Sequence, residues 1–101
     1  MSGTPSNPPV EEAITRDFAI VNQRGLHARA SAKFVQLVSS YNARVSVEKD
    51  GISVGGTSIM GLMMLAASPG CCIRVSASGP DAAELLDALG ELIAERFGEE
   101  I

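Results

Sequence analysis

Between Ile73 and Ser78 apolar and polar residues alternate strictly, and from Ala82 onward apolar residues recur at steps of three and four. A period of two belongs to a strand with one dry face, and a period near 3.6 to a helix with one dry stripe. A chain that switches between these periods has to build a sheet and cover it with helices. The rest of the sequence repeats the switch. Thr15 to Val21 is a first strand, and after the break Asn22-Gln23-Arg24-Gly25 the segment Ala28 to Ser40 carries a helical stripe of Ala30, Phe34, Leu37, Val38 and Tyr41. Arg44 to Glu48 alternates again, and Asp50-Gly51 is the dipeptide of a tight hairpin leading into Ile52 to Val54. Gly55 and Gly56 end that strand, Thr57 or Ser58 caps a short helix through Leu65, and Ser68-Pro69-Gly70 stops it. Gly79-Pro80-Asp81 starts the last helix, with proline in its first turn and a stripe of Ala82, Leu85, Leu86, Leu89, Ile93 and Phe97. The order β-α-β-β-α-β-α predicts an α+β fold, a four-stranded antiparallel sheet covered on one face by three helices.

With 101 residues, 46% of them apolar, the chain has one core and folds without staples. Residues 1–12 contain Pro5, Pro8 and Pro9 and no apolar period, so they are expected to be a disordered tail ahead of a single domain spanning 13–101. No positively charged start with an apolar run marks a secretory signal, so a cytoplasmic protein is expected. The longest solid apolar run, Ile59 to Ala67, falls far short of the roughly 20 residues a bilayer requires, and no membrane role is expected. Cys71 and Cys72 are adjacent, too close across one peptide bond for ordinary disulfide geometry. A single histidine and no CxxC spacing leave no zinc site, and no cofactor motif is present.

The net charge of −4 hides an asymmetry: no Asp or Glu occurs between Asp17 and Glu48, while Arg24, Arg29, Lys33 and Arg44 do. The only histidine, His27, lies in this basic segment of an acidic protein, as a surface that meets anions or acidic partners requires. A nucleic-acid-binding module is the first alternative, but aromatic residues make up 4% of the chain with no Trp, leaving few platforms for stacking bases. A free-standing enzyme is the second, and no Ser, Cys or acid stands at a recognisable spacing from His27 to activate it.

His27 stands at the start of the first helix, where several backbone N–H groups lack intrahelical partners and the helix dipole is positive. A phosphoryl group on the ring would sit in that field. Arg29 can add charge-assisted bonds to its oxygens, Gly25 frees the loop for close approach, and Arg24 and Lys33 add longer-range attraction. Imidazole is a good nucleophile when neutral, and the phosphoramidate it forms passes its phosphoryl group on readily. By position alone, a histidine that merely caps the helix fits equally well.

The segment Gly25 to Arg29 reads GLHAR, and it resembles the active-site motif of the HPr family, the histidine phosphocarriers of the bacterial phosphotransferase system. Thr57 to Met63, TSIMGLM, resembles the second family motif, and about residues 13–98 follow the family's element order. The resemblance implies the HPr-like open-faced β-sandwich. It also implies a carrier, not a turnover enzyme, phosphorylated on His27 Nδ1 by Enzyme I with phosphoenolpyruvate and delivering to a IIA protein or domain. Arg29 matches the family's phosphate-binding arginine. Most sugar-transport members have proline where Ala30 stands, and HARASAKF with SIMGLMML is similar to the nitrogen-related and alphaproteobacterial branch, where the output is often regulation. Alanine is compatible with that first helical turn.

Ser58 matches the position that HPr kinase phosphorylates in many members, which adds an HPr kinase/phosphorylase as a partner and a regulatory site to its role as a cap. Ile59, Met60, Leu62, Met63, Met64 and Leu65 make the second helix apolar nearly all round, beyond what a short surface helix buries. Its thioethers suit docking on more than one protein. The expected partner surface is Arg24, Ala30, Lys33, Ile59, Met60, Leu62 and Met63, on a monomer.

Overall fold

The computed structural model describes residues 13–99; the tail expected at 1–12 lies outside them. The elements are β1 (Ile14–Ala19), α1 (Ala28–Ser39), β2 (Arg44–Lys49), β3 (Ile52–Gly55), α2 (Ile59–Met64), β4 (Cys72–Ser78) and α3 (Ala82–Ala94), followed by a single 3₁₀ turn at Arg96–Gly98. The four strands form one sheet in the order β1-β4-β2-β3, and every pairing is antiparallel. The architecture is the expected open-faced sandwich: three helices cover one face and the other meets water.

Alternation in the strands decides which face is which. Ile73, Val75 and Ala77 of β4 are buried beneath the helices, and Val47 of β2 joins them. On the opposite face Thr15 meets Ser76 and Asp17 pairs with Arg74, polar contacts that suit a wet surface. The hairpin between β2 and β3 has the expected two-residue loop, with Asp50 at φ 53° and Gly51 at φ 81° and Lys49 paired with Ile52. Positive φ at both central residues gives a turn whose twist matches the flanking strands. Phe34 and Val38 of α1, Leu62 of α2, and Leu85, Leu86, Leu89 and Ile93 of α3 complete the core. Burial of such side chains is worth roughly 1.5–3 kcal/mol each, the main term holding the helices down.

Most boundaries fall within one residue of the sequence reading, and three differ by more. β1 ends at Ala19 instead of Val21, because Ile20 turns its carbonyl to the Gly70 N–H as the chain bends into the next loop. α3 begins at Ala82, leaving Pro80 outside the helix, and the Asp81 carboxylate accepts from the Asn42 N–H instead of capping its own helix. Phe97 does not continue the α3 stripe. The helix ends at Ala94, and Arg96 and Phe97 adopt left-handed backbone, φ 59° and 56°, that turns the chain back over the core. Phe97 is buried all the same, which supplies the packing energy to hold two non-glycine residues in that unfavourable region.

Candidate functional site

His27 is the N-cap of α1, with extended backbone (φ −75°, ψ −176°). The first bond inside the helix runs from the Ser31 N–H to the His27 carbonyl, which leaves the N–H groups of Ala28, Arg29 and Ala30 without intrahelical acceptors. One of them, the Arg29 N–H, donates to His27 Nδ1 at 3.2 Å. The other ring nitrogen, Nε2, lies 2.6 Å from Glu99 Oε2. A carboxylate only accepts, so Nε2 carries the proton, and Nδ1, which accepts from a backbone N–H, carries the lone pair. Both contacts demand the same tautomer.

Glu99 is built into the loop that precedes α1. Its Oε2 also accepts from Asn22 Nδ2 at 3.1 Å. Burial raises the Glu99 carboxyl, the largest single influence, but the bonds from His27 and Asn22, the attraction of the His27 ring and the Arg24 N–H together hold it below its ordinary value. Asn22 is fully buried and its amide also donates to the Gly25 carbonyl at 2.8 Å, tying both ends of the turn together. Gly25 has φ +65°, and a Cβ there would stand 2.2 Å from the Ala67 carbonyl oxygen. The Leu26 N–H donates to that same oxygen at 2.9 Å, so the loop carrying His27 is pinned to the turn that follows α2.

The expected residues fall into different environments. Arg29 and Arg24 are exposed, and the Arg29 side chain makes no hydrogen bond or ion pair among the described residues. Lys33 is not a freely projecting charge: its Nζ donates to the Phe97 carbonyl at 2.7 Å. Ala30 and Leu62 are fully buried, so their side chains belong to the core and not to a docking surface; each lies on the inner side of its helix. On α2, Ile59, Met60, Met63 and Met64 are exposed, Met60 and Met64 at 73% each. Ser58 is the N-cap of α2, its Oγ accepting from the Gly61 N–H at 2.9 Å.

Sequence reasoning missed Glu99 and Asn22. The search for an acid near His27 looked for a recognisable spacing, and this one lies 72 residues away in sequence. No helix among the described residues is long and apolar enough to cross a membrane.

The family model described as "PTS HPr component phosphorylation site" matches residues 14–95. The chain belongs to the HPr family. It is 49% identical over 86 residues to the phosphocarrier protein HPr of Cupriavidus necator, covering 85% of this chain and 97% of the relative. A phosphocarrier protein HPr of Neisseria meningitidis serogroup A is 48% identical over the same shares. Among solved structures, HPr-C-His from Thermoanaerobacter tengcongensis superimposes with a TM-score of 0.80 at 43% identity, covering 89% of this chain and 99% of that one. The four-stranded antiparallel sheet with three helices on one face is therefore the HPr fold, and this HPr-family chain is a phosphocarrier of the phosphotransferase system. Nucleic-acid binding has no support from these relatives.

Proposed function

We propose that this protein receives a phosphoryl group on His27 Nδ1 from Enzyme I, charged by phosphoenolpyruvate, and delivers it to a IIA protein or domain. The observation that carries the reading is the Nδ1 lone pair at the N-terminus of α1, beside three backbone N–H groups free of the helix ladder. Those donors and the helix dipole favour the anion that transfer creates. Phosphoryl transfer needs positioning and charge neutralisation more than covalent help, so a small domain can hold the group while its partner supplies the rest of the surround. Arg29 is poised two residues along to meet the phosphoryl oxygens, and Arg24 adds charge beside the loop. The protein then acts as a monomeric cytoplasmic carrier, consumed and regenerated by its partners, and not as an enzyme with its own turnover.

The exposed apolar residues Ile59, Met60 and Met63 are the docking face, because Ala67 links the end of α2 to the His27 loop and brings this surface beside the reacting ring. Ser58, at the edge of that face, is the regulatory site for an HPr kinase. By its resemblance in HARASAKF and SIMGLMML, with Ala30 where most sugar-transport members have proline, the chain is read as nitrogen-related; alanine also retains at the anion site an N–H that proline would remove.

The test is incubation with Enzyme I and phosphoenolpyruvate, followed by intact-mass measurement. One phosphoryl group, lost in acid, kept in base and absent in His27→Ala, is expected. A stable hydroxyl ester, or full labelling of His27→Ala, refutes the carrier reading.

A further inference from the structure

We infer that Glu99 is a positioning residue for His27, holding the ring proton on Nε2 so that the Nδ1 lone pair faces the α1 N-terminus where the phosphoryl group binds. The role rests on the reading of His27 as the acceptor. An isolated imidazole exchanges its proton between the two nitrogens. A proton on Nδ1 would occupy the nucleophilic lone pair and set an N–H against the Arg29 N–H, donor against donor. Glu99, 2.6 Å from Nε2, accepts only, and removes that tautomer. The carboxylate is fixed in turn by Asn22 Nδ2 at 3.1 Å, from a residue that is itself fully buried. Lys33 fixes its segment through the Phe97 carbonyl.

The same contact serves both directions of transfer. In loading, the Nδ1 lone pair forms the N–P bond while the bond from phosphorus to the donor's phosphoryl-bearing atom breaks, and that bonding pair leaves with the donor. The Nε2 proton stays, so the ring becomes cationic, and the Glu99 carboxylate stabilises the charge as it forms. In unloading, the N–P bond breaks as the acceptor attacks phosphorus, and the pair returns to Nδ1. A ring held protonated at Nε2 is the better leaving group, and it reverts to the tautomer ready for the next cycle.

The experiment compares wild type with Glu99→Gln and Glu99→Asp by two-bond ¹H–¹⁵N correlation of the histidine ring, and by transfer rate from Enzyme I and phosphoenolpyruvate. The protein has a single histidine, so its signals need no assignment. Wild type is expected as the Nε2–H tautomer. The Gln amide can bond either ring form and should yield a mixture, with transfer roughly tenfold slower, in the range typical of lost orienting partners of functional histidines. Asp should keep the tautomer bias in part, with an intermediate rate. Backbone amide dispersion checks that each variant is folded. A wild-type ring protonated on Nδ1, or a Gln variant with unchanged ring signals and rate, overturns the role of Glu99. A wild type with the Nε2–H ring that accepts no phosphoryl group overturns the carrier reading and this role with it.

Discussion

Lys33 Nζ donates to the Phe97 carbonyl at 2.7 Å, joining the middle of α1 to the reversed C-terminal segment. That segment has little regular structure of its own, and it depends on this bond and on burial of the Phe97 ring. Lys33→Met keeps the aliphatic stem and removes the donor. It should lower stability by about 1.5–3 kcal/mol, the scale of a hydrogen bond with one charged partner, measured by chemical denaturation.

At the helix start the Arg29 guanidinium has no partner among the described residues. Arg29→Ala should slow transfer by a factor on the order of 10 to 1000 with an unchanged melting temperature, since one charge-assisted contact to a phosphoryl group is worth a few kcal/mol. Arg29→Lys should fall between, because an ammonium lacks the planar fork. Stopped transfer assays with Enzyme I give both numbers.

Gly25→Ala tests the loop. The added Cβ would collide with the Ala67 carbonyl oxygen, and the backbone there has φ +65°. A side chain at such a position costs on the order of 1–3 kcal/mol from backbone strain alone, before the clash is counted. The expected result is a lower melting temperature and slower transfer, as the Leu26 to Ala67 bond gives way.

Ser58→Asp should leave folding nearly intact, because an aspartate side chain can cap α2 as the serine does, accepting from the Gly61 N–H. Ser58→Ala, lacking any acceptor, should cost about 1 kcal/mol. Transfer should behave in the opposite sense: the new charge beside Ile59 and Met60 must be desolvated when a partner docks, so Asp slows loading by Enzyme I and Ala does not. Melting temperature and transfer rate on the same samples separate the two effects. Equal rates in all three proteins would reduce Ser58 to a cap.

Glu99 gives the acid limb of stability a definite sign. Its carboxyl is held below the ordinary value of 4.5 in the folded protein, so the folded state binds its proton less well than the unfolded state does. Its contribution is present above that ordinary value and is lost as pH falls through the depressed one. Glu99→Gln should remove this part of the pH dependence below about pH 4.5. Denaturant midpoints of wild type and variant, followed downward in pH, should converge.

Much of this protein is local enough to be read from its residues in order. The alternation of Ile73, Val75 and Ala77, the Asp50-Gly51 turn, and the stripe through Ala30, Phe34 and Val38 each state a preference over a few positions. The sheet and its single covered face follow from satisfying all of them together. His27 at a helix start was equally legible, since an N-cap is defined by its neighbours in sequence. Glu99 was not. It reaches the ring only because the chain leaves α3 at Ala94, bends through left-handed Arg96 and Phe97, and buries Phe97 against the core. Isolated residues of those types disfavour such backbone, and only packing across the whole domain offsets the cost. For the same reason Lys33, which reads as a free charge in the sequence, becomes a tether, and Ala30 and Leu62 pass from the expected docking surface into the core. The tertiary fold decided which ring nitrogen of His27 keeps the proton, because it alone brought an acid to the other end of the chain's only imidazole.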